Sequence, residues 1–138
     1  MAQKMRSKQA VRSEFSTDPL TASSDSSEGI ASTTYVAKTT PCTLTLPAVT
    51  GTYVVTLHTE FSNSSANRDV AAAIYDIGAS TALAEGQARP TSVGSLYTVN
   101  AIAFVALTGT SKSIGVYLKT ANGTLTAKNA RLCAWRIS

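Results

Sequence analysis

Gly51-Thr-Tyr-Val-Val-Thr-Leu-His-Thr-Glu-Phe61 decides how the chain is read. Tyr53, Val55, Leu57, Thr59 and Phe61 fall on one side of an extended chain, and Val54, Thr56, His58 and Glu60 on the other. This is the period of two expected of a strand with one face in a core, built from the β-branched and aromatic residues that suit one.

Working outward, the same reading finds further strands between turn signals. Thr34–Ala37 is a short run, and Pro41 opens another in which Cys42, Leu44 and Leu46 alternate with Thr43 and Thr45 before Pro47 ends it. Residues Arg68–Ile77 carry Val70, Ala72 and Ile74 on one side and Ala71, Ala73 and Tyr75 on the other. Thr81–Glu85 reads as a short edge strand, residues 86–95 as a loop and Leu96–Leu107 as a long apolar strand. Ile114, Val116 and Leu118 then alternate with Gly115, Tyr117 and Lys119. Asn122-Gly123 is the strongest hairpin signal, because both positions suit φ > 0 and a type I′ turn. Thr124–Ile137 is the final strand. With no helical period of useful length, the pattern predicts an all-β, antiparallel β-sandwich. A short first strand, a loop-rich middle and a long closing hairpin favour a jelly-roll-like order.

Residues 1–30 lack this alternation and are predicted to form an extended N-terminal arm, leaving 31–138 as the sandwich domain. Lys4, Arg6, Lys8 and Arg12 stand in the first twelve positions with no acidic residue among them. Ser16–Gly29 is rich in Ser and Thr and holds Asp18, Asp25 and Glu28. Such a stretch buries too little apolar surface to offset its own ordering entropy. It is therefore expected to gain order on a partner, with Lys4, Arg6, Lys8, Arg12 and Phe15 as the candidate partner-binding residues. A solvated, charged N-terminus is the alternative.

The net charge of +4 matches the first twelve residues; residues 13–138 hold eight basic and eight acidic residues. Charged residues make up 14% of the chain, against about 25% in an average protein. Four arm charges would neutralise about four phosphates, which is weak at physiological salt, so nucleic acid is not the expected partner. Met1–Arg12 is charged and leads into no apolar segment of a secretory leader, so synthesis in a cytoplasm is expected. No apolar run approaches the ~20 residues of a spanning helix, and no membrane role is expected. The sequons at Asn63 and Asn122 read as turn chemistry.

The catalytic inventory is sparse. His58, the only histidine, lies mid-strand beside Thr56 and Glu60, where a surface or interface role is expected. Glu60, Asp69, Asp76 and Glu85 are spread over different strands and loops, with no sign of the convergence that acid–base work needs. Cys42 and Cys133 fall on apolar alternations and are predicted to be buried and reduced; a disulfide between them is the alternative. Two thiols and one imidazole fall short of a zinc site, and no cofactor is expected. The chain does not read as an enzyme. Trp135 shares a strand face with Cys133 and Ile137, either packing in the core or meeting another subunit. Tyr75, Tyr97 and Tyr117 lie on separate strands; they would make a sugar-binding platform only if their rings were exposed in a cleft.

The stretch Ser113–Ile137, and within it Asn129-Ala-Arg-Leu-Cys-Ala-Trp-Arg-Ile137, resembles the final hairpin of β-sandwich domains in tailed-phage virion proteins. The likeness covers just under a fifth of the chain. Similar jelly rolls, related in shape to tumour-necrosis-factor and complement heads, serve as capsid decoration proteins, head fibres and fibre tips. They are usually homotrimers, often anchored to the capsid or the next subunit by an N-terminal arm. The resemblance implies a bacteriophage virion protein with no catalytic residues, with Tyr117 and Trp135 as candidate subunit contacts. A receptor- or glycan-binding fibre tip and a small coat protein with a nucleic-acid-facing arm are the alternatives.

Overall fold

The computed structural model describes residues 19–38 and 40–138. Ten strands are found among them: β1 (Leu20–Ser24), β2 (Glu28–Ile30), β3 (Val36–Ala37), β4 (Thr43–Leu46), β5 (Thr50–Asn63), β6 (Val70–Asp76), β7 (Thr81–Ala88), β8 (Tyr97–Thr108), β9 (Lys112–Thr120) and β10 (Leu125–Arg136). Every pairing is antiparallel. One sheet, sheet A, runs β1-β10-β5-β8, with β2 also on β10. Sheet B runs β3-β9-β6-β7, with β4 also on β9.

The pairing has a simple rule. Count β1 with β2 as one interrupted strand and β3 with β4 as another. Each strand then pairs with its counterpart counted from the other end of the chain: first with last, second with seventh, third with sixth, fourth with fifth. A long antiparallel ribbon wrapped on itself in this way is a jelly roll.

The core lies between the sheets. Val55, Leu57 and Phe61 of β5 meet Val70, Ala72 and Ile74 of β6 and Ile114, Val116 and Leu118 of β9 in one buried cluster. Burying each large aliphatic or aromatic side chain contributes about 1.5–3 kcal/mol. Thr59, the polar member of the inward face of β5, donates its hydroxyl to the Lys128 carbonyl at 3.2 Å. Where the two sheets close against each other at β7 and β8, Gly86 permits the approach. A Cβ there would overlap the Asn100 carbonyl and the Val99 side chain.

Three expectations change. Residues 20–30 were assigned to the arm, yet β1 and β2 both lie along β10, with Leu20 opposite Ala134 and Ile30 opposite Leu125. The alternation of Leu20 and Ala22 with Thr21 and Ser23 is too short to stand out; the neighbouring strand supplies the missing stability. The β7 strand runs on to Ala88, so the loop expected from residue 86 starts later.

The third change concerns the ending. Because β9 and β10 belong to opposite sheets, Asn122-Gly123 is a crossing between sheets and not a hairpin turn. Only Gly123 has positive φ, so the turn is not type I′. The crossing is held by Asn63, whose amide donates to the Thr120 hydroxyl and to the Asn122 carbonyl.

Candidate assembly surface

The outward face of sheet A is the chemically unusual surface of the molecule, and a single residue sets it up. Along β10 the inward positions are Leu125 and Ala127, then Ala130, Leu132 and Ala134. Parity switches because the register slips by one residue between Lys128 and Arg131, where Asn129 adopts φ 46°. This is a β-bulge: one extra residue on one strand, placed where Asn tolerates the left-handed conformation. Downstream of it every side chain is turned over. Cys133, Trp135 and Ile137 therefore face outward, against the expectation that Cys133 was buried.

Strand pairing arranges these residues in rows. Trp135, Val54 and Phe104 lie abreast on β10, β5 and β8, and the next row is Cys133, Thr56 and Ile102. Phe104 is 71% exposed, Ile102 60%, Ile137 51% and Trp135 37%, while Val54, between the two rings, is only 8% exposed. Apolar residues exposed singly need no explanation, but contiguous rows of them on a sheet face mark a contact surface. One row further the face turns polar. Arg131, His58 and Asn100 lie abreast. His58 Nδ1 stands 3.0 Å from Asn100 Oδ1, a pair in which the imidazole donates, and Arg131 pairs with Asp25.

Tyr117, the other expected contact residue, lies elsewhere. It projects from the outward face of sheet B, so the two candidate anchors sit on opposite sides of the sandwich. There Tyr117 stacks on Tyr75, with centroids 4.0 Å apart and planes within 9°. Tyr35, which the sequence reading missed, joins them at 6.1 Å from Tyr75. Tyr97 does not: its hydroxyl accepts from the Thr91 and Ser92 backbone N–H groups and holds the loop before β8.

The carboxylates do not converge. Asp69 is paired with Arg89 at 2.7 Å and Asp76 with Lys112 at 2.7 Å; Glu60 accepts from Asn129, and Glu85 from Tyr35 and Gln87. The Lys112 ammonium holds the Asp76 carboxyl below its ordinary range, against the opposing effect of burial. Cys42 is buried, with its thiol pushed up by burial, and donates to the Ala130 carbonyl at 3.7 Å. Both thiols are free, and they lie on opposite sides of sheet A, which blocks a bridge. Among the described residues no three His, Cys, Asp or Glu side chains gather as a metal would need. Among the described residues no helix is long and apolar enough to cross a membrane. Lys4, Arg6, Lys8, Arg12 and Phe15 lie outside the described residues.

No family model matches the sequence, and no curated protein does. Solved structures share the fold. The structure of infectious bursal disease virus Gx strain is similar with a TM-score of 0.56 and 15% identity, over 86% of this chain and 31% of the viral one. The virus's VP2 protein, in derived T=1 particles, gives 0.54 and 16%, over 86% and 32%. Eiger TNF from S. frugiperda gives 0.56 and 9%, over 87% and 93%. The chain spans about a third of the viral proteins it resembles. At such identities the fold is what is shared.

Proposed function

We propose that this chain is a structural virion protein, a jelly-roll subunit that works by assembly and not by catalysis. The observation that carries the reading is the outward face of sheet A, where Trp135, Val54, Phe104, Cys133 and Ile102 form adjoining rows with no charge among them. A surface of this kind is stable in water when another protein surface covers it. The jelly roll shared with a viral particle protein supports a place in a virion, and the low charge content suits a subunit packed among copies.

In finer terms the protein is a bacteriophage capsid decoration protein or short head fibre, a homotrimer with the sheet A face between subunits. Its basic N-terminal segment anchors it to the major capsid protein or another virion protein. Deleting residues 2–18 leaves β1 and β2 in place. The truncated protein is expected to fold, and to be lost from purified particles when copies per particle are counted against the major capsid protein. Wild-type occupancy after the deletion would show that the anchor lies elsewhere.

A further inference from the structure

The outward face of sheet B has a different chemistry. The central strand β6 presents Ala71, Ala73 and Tyr75 there, the two alanines opposite Lys119 and Tyr117 of β9 and Gln87 and Glu85 of β7. Ala73 is fully covered, and a short trough opens at Ala71, between the long side chains of Lys119 and Gln87. Gly115, opposite Tyr75, leaves room for the Tyr117 ring, whose Cε1 would lie 3.3 Å from a Cβ at that glycine. The stacked Tyr75–Tyr117 pair continues through Tyr35 to Lys119, whose Nζ lies 4.3 Å from the Tyr35 ring centroid. Beyond Lys119 the trough deepens into a cavity of about 230 Å³ lined by Thr33, Asp69, Ala71, Gln87 and Lys119 among others.

The charges at this site are already answered. Glu85 accepts from the Tyr35 hydroxyl and from Gln87, with Lys119 at 3.9 Å, and Asp69 is held by Arg89 through two hydrogen bonds of 2.7 and 3.2 Å. A charged ligand would have to break these pairs, and a phosphate backbone would meet two carboxylates. The trough also lacks the exposed Phe, Ile and Trp side chains that mark the opposite face of the sandwich. What remains is a row of half-buried aromatic rings followed by hydroxyl, amide, carboxylate and ammonium groups around a small cavity. Sites for small ligands combine apolar surface with a few placed polar groups in this way. A saccharide has the matching structure: C–H faces to lie on rings, and hydroxyls that both donate to carboxylates and accept from amides and ammonium groups.

We infer that the outward face of sheet B binds an uncharged oligosaccharide, one unit against the Tyr117–Tyr75–Tyr35 rings and the next in the Asp69–Gln87–Lys119 cavity. The inference is independent of how subunits assemble, since it uses the other side of the sandwich.

The test is an immobilised-glycan array of bacterial surface and animal glycans, probed with the full-length protein. The best-retained soluble oligosaccharide is then titrated, with binding followed by NMR shifts of the β6, β7 and β9 amides. Saturable shifts confined to those strands are expected. Tyr117→Ala and Gln87→Ala should each weaken binding at least tenfold. Gln87 is exposed, so its variant is expected to fold even where Tyr117→Ala does not. Phe104→Ser, on the other face, should bind as wild type. Retention of no glycan above the blank, or unchanged binding by Gln87→Ala and Tyr117→Ala, overturns the inference.

Discussion

Replacing Lys38 with Met tests what holds the N-terminal strands to the sandwich. Lys38 is only 2% exposed. Its ammonium donates to the Ser26 carbonyl at 2.8 Å, to the Ser24 hydroxyl at 3.2 Å and to the Ser24 carbonyl at 3.4 Å, bonds that pin the turn between β1 and β2. Lys38→Met keeps the apolar stem and removes the charge. The Ser24 hydroxyl keeps its bond to the Thr40 carbonyl, so the loss falls on the Ser26 carbonyl and more weakly on that of Ser24. A hydrogen bond from a charged donor contributes about 1.5–3 kcal/mol, and an abandoned buried acceptor costs about 1–3 kcal/mol. Against this, the variant no longer desolvates an ammonium, a relief that offsets about one of those two terms. With one short bond and two long ones, a net loss of about 2 kcal/mol is expected, or a melting point lower by about 8 °C in a domain of this length. Calorimetry measures the loss, and hydrogen exchange of residues 20–30 should accelerate more than that of β5. A variant as stable as wild type would refute the reasoning, because the buried charge would then cost as much as its bonds return.

Further outcomes follow from other residues. Under native conditions a thiol reagent should modify Cys133, which is half-exposed, and leave Cys42 untouched until the protein unfolds; intact mass distinguishes one adduct from two. Gly86→Ala should destabilise by about 2–3 kcal/mol in denaturant titration, since the new methyl meets a backbone oxygen that cannot move aside. For Asp76, whose carboxyl is held below its ordinary value, the Lys112 pairing stabilises the fold above the unfolded-state value of about 4 and is lost as pH falls through the lower folded value. Acid unfolding of Lys112→Met should accordingly show a shallower loss of stability below pH 4 than wild type.

Much of the fold was legible because alternation reports burial directly. The inward face of β5 is the one read from Tyr53, Val55, Leu57, Thr59 and Phe61. The face of β10 was misread because Cys133, Trp135 and Ile137 themselves alternate as an apolar face, and only the bulge at Asn129 turns that face outward. Continuing the odd positions from Leu125 and Ala127 would have buried Arg131, whereas Ala130, Leu132 and Ala134 are apolar. That change of parity was the available sign of the bulge. In β8 both parities are apolar, so only pairing with β5 reveals that Phe104 and Ile102 face out. Asn122-Gly123 misled for another reason: turn residues describe local backbone geometry, and which sheet receives the next strand depends on the whole core. Tyr35 was missed because its companions Tyr75 and Tyr117 come from strands far along the chain.

Sedimentation equilibrium of the full-length protein tests directly whether the outward face of sheet A is an interface between copies. Wild-type protein is predicted to associate to a trimer at tens of micromolar, corresponding to several kcal/mol of association free energy. Phe104, 71% exposed, would bury about 140 Å² of ring on association, about 3 kcal/mol per copy. Phe104→Ser should therefore weaken association more than a hundredfold while leaving the melting point of the monomer unchanged. A wild-type protein that stays monomeric, or a Phe104→Ser variant that associates as wild type does, contradicts the claim.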